Sequence, residues 1–346
     1  MTDPTNSRKI EHIRAIEADR DTDRRRAYFD RLHLRHRALP QLSLSEVDPS
    51  TELLGKRLSF PLLISSMTGG DHELVTRINR NLAIAAEATG VAMGVGSQRV
   101  MFTQPAARRS FELRPYAPTA LLLGNIGAVQ LNYGFGLAQC REAVDCLAAD
   151  ALFLHLNPLQ EAVQPEGDTD FTGLDQKIAA LVAELPVPVI LKEVGAGLSP
   201  ADIALGLQAG VRYFDLAGSG GTSWSRIEYH RQDEGESSDL GLRFQDWGVP
   251  TPLALQLARP YMGNAVFIAS GGLRTGIDMV KSVILGGSLC GMAAPFLKPA
   301  MESPQRVVDV IEGLRKEFVT AMFLLGVPNM VELRLNDALW LKELEG

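Results

Sequence analysis

Eight separate apolar runs, each ending in polar or glycine-rich residues, constrain this chain more than any other feature. They are Phe60–Ser66, Val91–Ser97, Thr119–Gly127, Ala151–Asn157, Val187–Val194, Val211–Gly218, Asn264–Gly272 and Ser288–Phe296. A strand with one wet face alternates apolar and polar residues, whereas continuous apolar runs mark parallel strands covered on both faces. Between the runs, apolar residues recur at helical spacing in His72–Thr89, Leu137–Ala148, Gly173–Glu184, Pro200–Ala209, Pro252–Ala258, Gly276–Leu285 and Pro304–Leu325. Eight such strands alternating with helices predict an α/β fold, a (β/α)8 TIM barrel over residues 59–325. The alternative is a doubly wound open sheet. Strand count and the placement of polar residues favour the barrel. Residues 1–58 predict an N-terminal arm and pre-barrel segment, with Ser7–Tyr28 helical or arm-like and a dense charge run at Asp19–Arg26. Residues 326–346 predict a short amphipathic helical tail, and no second domain is expected.

The chain has 346 residues, 46% of them hydrophobic, enough for one large barrel with a sizeable core. A net charge of -7 argues against a broad nucleic-acid surface, which needs a positive field. It leaves room for a small basic pocket that takes an anionic metabolite. Cys140, Cys146 and Cys290 lack the spacing of a disulfide framework or a zinc site. No run is long and apolar enough to span a bilayer, and the polar N-terminus shows no signal peptide, so a cytoplasmic enzyme is expected.

Active-site residues of a barrel gather at the C-terminal strand ends. Here the runs end in Ser66-Met67-Thr68-Gly69-Gly70, Gly96-Ser97-Gln98-Arg99, Asn125, His155 with Asn157, Gln160 and Glu161, Lys192-Glu193, Gly218–Thr222, Gly271-Gly272-Leu273-Arg274 and Gly291–Ala294. Each is weak evidence; their convergence on one rim predicts a catalytic mouth. The glycine-rich loops suit phosphate, because backbone N–H groups approach an anion closely where no Cβ intervenes. Lys192 ends an otherwise buried strand, where a cation would stabilise a reduced, anionic flavin. Glu161 offers a hard carboxylate suited to Mg²⁺; Glu166 and Asp168 are either its neighbours in function or solvated charges. Arg8, Lys9 and His12 share a helix face, and with Arg99 they make a candidate diphosphate clamp.

Taken together, RKIEH (Arg8–His12), SSMTGG (Ser65–Gly70), GVGSQR (Gly94–Arg99), GNIGAVQL (Gly124–Leu131), HLNPLQEAVQPEGD (His155–Asp168), LKEVGAG (Leu191–Gly197), DLAGSGGTSW (Asp215–Trp224) and ASGGLRTG (Ala269–Gly276) resemble type 2 isopentenyl diphosphate isomerase. The fourth-strand segment is the most specific, and the resemblance runs from Arg8 to about Leu297. It implies FMN held by Ser66, Met67, Thr68, Ser97, Asn125, Lys192, Thr222, Gly271, Gly272, Leu273, Ala293 and Ala294. It implies isopentenyl diphosphate, or its product dimethylallyl diphosphate, contacted by Arg8, Lys9, His12, Ser97, Gln98, Arg99, Asn157 and Gln160. Gln160, His155 and Lys192 are the implied catalytic residues, and Glu161 the implied Mg²⁺ ligand. The family is cytoplasmic and usually tetrameric or octameric, and it uses NADPH only to reduce the flavin.

Rival readings are an FMN-dependent 2-hydroxy acid oxidase or dehydrogenase, a non-flavin phosphate-binding barrel (a synthase or epimerase), and a catalytically inactive flavoprotein or interaction module. The oxidase chemistry wants a histidine base past the sixth or seventh strand, where the chain offers only His230. His33, His36, Trp224 and Glu228 have no assigned role; Trp224 and Glu228 either close over the substrate or pack.

Overall fold

In a computed structural model describing residues 4–24, 28–231 and 239–341, with side chains from Glu11 onward, eight strands close into a barrel. They are β1 (Leu62–Ile64), β2 (Ala92–Gly94), β3 (Leu122–Gly127), β4 (Ala151–Leu156), β5 (Val189–Glu193), β6 (Tyr213–Asp215), β7 (Val266–Ser270) and β8 (Leu289–Met292). Every pairing is parallel and follows chain order, and β8 closes on β1. Each strand lies inside its expected run and is shorter than it. The eighth run overreaches most. After Met292 the chain turns at Ala293 and Ala294–Glu302 is a helix, so the apolar Ala-Ala-Pro-Phe stretch packs helically.

Successive side chains of a strand point to opposite faces. Leu63, Ala92, Leu123, Ala151, Phe153, Ile190, Ile268 and Leu289 accordingly form an inner core within the barrel. Their chain neighbours Leu62, Ile64, Leu122, Leu152, Leu154, Val189, Leu191 and Phe267 join a larger outer core beneath the helices. At the N-terminal end a hairpin, Thr51–Leu53 with Lys56–Leu58, adds Leu53 and Leu58 to the inner core and plugs the barrel. At the other end the inward step of two continues to Asn125, His155, Lys192, Asp215, Ser270 and Gly291. Apolar packing thus gives way to polar chemistry at the rim.

The arm is helical from Pro4 to Ala18, and a 3₁₀ turn, Arg20–Thr22, follows once Asp19 caps the Asp21 N–H. Asp23 then bridges to Thr222 in the loop after β6. The tail is less helical than expected. After Met330–Leu333 the chain leaves helical geometry at Arg334, and Leu335 has a positive φ of 58°. Trp340–Leu341 pairs antiparallel with His33–Leu34. His33 and His36 are exposed and stand outside the mouth. Among the described residues no helix is long and apolar enough to cross a membrane.

Leu63 is fully buried in the inner core. Leu63→Ala is expected to lower unfolding free energy by about 2–5 kcal/mol in chemical denaturation. A negligible change would mean that the barrel interior is loosely filled.

Candidate active site at the barrel mouth

The C-terminal strand ends surround an open cavity of about 1210 Å³, including its solvent-facing part. At its floor, Lys192 Nζ lies 2.9 Å from Asp215 Oδ2, both side chains being nearly inaccessible. The other oxygen of Asp215 accepts a hydrogen bond from Ser270. Strand register produces this row, because Lys192 stands opposite Asp215 on β5 and β6. A buried cation persists when an opposite charge compensates its lost hydration. Next to it, Asn125 donates to Ser66 Oγ at 2.9 Å and to the Val95 carbonyl at 3.0 Å. Its Oδ1 therefore accepts from His155 Nδ1 at 2.7 Å, which fixes the imidazole ring at the rim.

Asn157, Gln160 and Glu161 come together because Asn157 precedes a short helix, Pro158–Val163, that starts at a proline suited to a first turn. Glu161 lines the cavity and is 6% exposed. It accepts from Asn157 Nδ2 at 2.8 Å, from the Asp168 N–H at 2.8 Å and from the Gln164 amide. The Asn157 Oδ1 beside it is buried without a hydrogen-bond partner. Arg99 reaches Asp168 at 2.8 Å, and Gln130 donates to the same carboxylate oxygen at 2.9 Å.

Gln160 Nε2 donates to Glu228 Oε1 at 2.7 Å, while Asn157 Nδ2 donates to Gln160 Oε1 at 3.1 Å. Glu228 is completely buried on the helix Trp224–Tyr229. Its carboxylate also meets His12 Nε2 at 3.1 Å and the Arg231 guanidinium. Burial pushes this carboxyl up, but the hydrogen bond and charge of His12, with Arg231 and Gln160, outweigh it and bring the pKa to about 2. Trp224 lines the cavity with its ring centroid 5.2 Å from that of His12. Arg231 further pairs with Glu11 of the arm and Glu166 of the β4 loop.

Across the mouth, Gly271 and Gly272 have φ of 96° and 81°, left-handed conformations that favour glycine. A Cβ on Gly271 would stand 2.0 Å from the Gly218 carbonyl oxygen, so the loops after β6 and β7 interlock through it. The helix Ala294–Glu302 opens onto the cavity, but its first turn is poor in free donors: Pro295 has no N–H, and the Phe296 N–H donates to the Ala293 carbonyl at 2.9 Å.

Of the residues singled out from sequence, His12, Ser66, Met67, Ser97, Arg99, Asn125, His155, Asn157, Gln160, Glu161, Lys192, Thr222, Gly271, Gly272, Leu273, Ala293 and Ala294 line this one cavity. Gln98 is not among the residues lining it. Its side chain is fully buried, donating to the Ala143 carbonyl at 2.8 Å and accepting from the Asn125 N–H at 2.9 Å. Thr68 lies just behind the lining, with its hydroxyl buried and unpartnered. Arg8 and Lys9 lie on the arm helix, and their side chains fall outside the described residues. Asp215 and Ser270 join the site without a motif to single them out, although the inward step of two marks both. Glu228 belongs to the Gln160 network. His230 pairs with Asp19 at 2.6 Å and is outside the cavity.

Glu228, held below its ordinary 4.5, contributes stability that is complete above pH 4.5 and is lost as pH falls toward about 2. Urea midpoints measured from neutral pH into that acid range should fall less steeply for Glu228→Gln than for the wild type. Parallel curves would mean that the carboxyl gains nothing from its partners on folding.

The FMN-dependent dehydrogenase family matches residues 6–112 and 150–340. An isopentenyl-diphosphate delta-isomerase of Paracoccus zeaxanthinifaciens is 60% identical over 96% of this chain and 96% of its own. One from a Nostoc species is 45% identical over 97% and 96%. The recombinant flavin-binding domain of baker's yeast flavocytochrome b2 superposes with a TM-score of 0.65, covering 93% of this chain and 78% of that one at 19% identity. A mandelate oxidase mutant with a monooxide FMN adduct gives 0.62 over 90% and 88%, also at 19% identity. At such identities the structural likeness speaks for the fold, while the sequence relatives speak for the family: this chain belongs to the isopentenyl-diphosphate delta-isomerases, within the FMN-dependent dehydrogenase family.

Proposed function

We propose that the chain isomerises isopentenyl diphosphate to dimethylallyl diphosphate in isoprenoid biosynthesis, with reduced FMN and Mg²⁺ as cofactors and NADPH as the flavin reductant. One observation carries the reading. Gln160 and Glu161, adjacent on one short helix, are both turned into the mouth, Gln160 bound to the buried Glu228 and Glu161 beside the unpartnered Asn157 oxygen. That arrangement supplies a proton-handling group and a hard-oxygen metal position side by side. The names of the relatives give isopentenyl diphosphate and its isomerisation.

The residues fit FMN. Left-handed Gly271-Gly272 suit its phosphate, Lys192 suits the N1 side of the ring, and the unpartnered hydroxyls of Ser65 and Thr68 lie buried beside the mouth. Bound and reduced, FMN supplies a proton donor and an electron-rich face beside the allylic unit. The residues also fit Mg²⁺: Glu161, with Asn157 near it, would hold the ion, which typically takes one or two carboxylates and leaves positions for diphosphate oxygens.

The chain's own groups do the rest. Arg99, oriented by Asp168, presents a fixed guanidinium to the diphosphate side, joined in this proposal by Arg8, Lys9 and His12. Binding energy gathered there holds the five-carbon end in a reactive pose. His155, oriented by Asn125, and Gln160, oriented by Asn157 and Glu228, flank that end. An alkene is a poor base, so protonation needs an acid in place and water excluded; Trp224, edge-on to His12, gives the mouth an apolar wall. The anionic Glu228, one hydrogen bond from Gln160, favours transient positive charge on the substrate and can accept a proton relayed through the amide. The 2-hydroxy acid oxidase reading loses support, because His230 is bound to Asp19 outside the mouth. We further propose that residues 59–325 are the catalytic unit with residues 1–58 and 326–346 as appendages, and that the enzyme is a cytoplasmic homotetramer or homo-octamer.

The deciding assay is anaerobic: protein, FMN, Mg²⁺ and isopentenyl diphosphate, with and without dithionite or NADPH. Dimethylallyl diphosphate is expected only with reduced flavin and without stoichiometric NADPH loss. Flavin reduced by a 2-hydroxy acid, with no isomer formed, would move the protein to the oxidase reading. Glu161→Gln should raise the Mg²⁺ needed for half-maximal rate by about tenfold or more, the usual scale for a perturbed metal site. An unaltered Mg²⁺ requirement would remove Glu161 from the metal.

A further inference from the structure

Arg24, in the arm, makes five hydrogen bonds to backbone carbonyls. Its Nε donates to Gly221 at 3.0 Å, Nη1 to Gln245 at 3.2 Å and Trp247 at 3.4 Å, and Nη2 to Gly195 at 2.8 Å and Thr222 at 3.1 Å. These carbonyls belong to three separate segments: the loop after β5, the loop after β6, and the stretch at Gln245–Trp247. The backbone joins in, since the Arg24 N–H donates to the Gly221 carbonyl and the Ser223 N–H to that of Thr22. A guanidinium presents five N–H groups in a rigid plane and so spans segments that a lysine ammonium, a point charge, does not.

From the opposite side, Glu193 fixes the same β5 loop. One of its buried oxygens accepts the N–H groups of Val194, Gly195 and Gly197 at 2.7, 2.6 and 3.0 Å, and that of Ala196 as well. The loop is therefore held by its N–H groups from below and by its Gly195 carbonyl from above. Gly195 has a φ of 144°, and a Cβ there would stand 2.9 Å from the Thr222 carbonyl oxygen, so the two loops leave no slack between them. Gly195, Gly221 and Thr222 all line the cavity, and the β5 loop begins at Val194, two residues beyond Lys192.

We propose that Arg24, backed by Glu193, is a positioning residue for the flavin: it sets the cavity wall formed by Gly195, Gly221 and Thr222, and so couples the N-terminal arm to cofactor retention. This rests on the FMN reading above. The arm then has two duties on two ligands, with His12 on the substrate side and Arg24 on the cofactor side.

The test is titration of apo-protein with FMN, followed by flavin fluorescence and the visible flavin spectrum, with thermal midpoints measured with and without FMN. Arg24→Met keeps the length and removes the donors; its Kd for FMN should rise at least about tenfold, the scale of lost hydrogen bonds from a charged group. Arg24→Lys should fall between it and the wild type, and Arg20→Ala, an exposed arm residue, should match the wild type. The midpoint gained on adding FMN should shrink in the same order. The inference is overturned if Arg24→Met, or Arg24→Lys where the first is not recovered folded, binds FMN as tightly as the wild type. A lower apo midpoint with an unchanged Kd overturns it too, because the residue is then only structural. Wild-type protein that takes up no FMN overturns the flavin reading itself, and this inference with it.

Discussion

The pleat of the strands is the constraint on which everything else depends. Alternate residues must face the barrel axis, so each strand has one set of inward positions for both packing and chemistry. On β4 the inward set is Ala151, Phe153 and His155; on β5 it runs from Ile190 to Lys192. Two residues separate a closed hydrocarbon core from a charged floor. A slip of one residue on β5 would turn Lys192 into the helix layer and Leu191 into the mouth. The hairpin that brings Leu53 and Leu58 into the core secures the other end, and it lets the catalytic rim carry polar groups that a packed core would reject.

At that floor the Lys192–Asp215 pair is neither a simple stabiliser nor an ornament. Buried pairs rarely outdo well-packed apolar residues in stability, yet removal of one partner strands the other. Asp215 is the partner that lets Lys192 stay at the base of the mouth. The resemblance to flavocytochrome b2 and mandelate oxidase extends to the fold at 19% identity and no further. Equivalent barrels host different chemistry, because the reaction is set by which side chains the loops present. In this chain the loops bring an amide, Gln160, onto a buried carboxylate, while the late-chain His230 is bound to Asp19 outside the mouth.

How much of this is legible in the sequence follows from the range of each interaction. The eight runs announce parallel strands because burial on both faces is a local compositional signal. The rim residues follow, since strand ends are where those runs stop. Helix Ala294–Glu302 is hidden, because a strand-like apolar run continues straight into it. The place of Gln98 is hidden for a related reason: its neighbours Ser97 and Arg99 line the cavity, while its own side chain is buried and bonded to backbone. Glu228 and Arg24 are the hardest to see. Their partners, His12 and Gln160 for one and five carbonyls for the other, lie far along the chain, and no periodicity encodes such meetings.

Among the described residues, each lysine or arginine lining the mouth already has a carboxylate: Lys192 has Asp215, Arg99 has Asp168 and Arg274 has Asp23. Glu161, in the same lining, adds a carboxylate whose hydrogen bonds come from amides and a backbone N–H and from no cation. The described side chains of the mouth therefore make no broad positive field of the kind that speeds capture from a distance. Selection among them is left to short-range fit, where backbone N–H groups, oriented guanidinium edges and the shape of the wall decide. A wall arranged in this way sorts anions by their geometry more than by their sign.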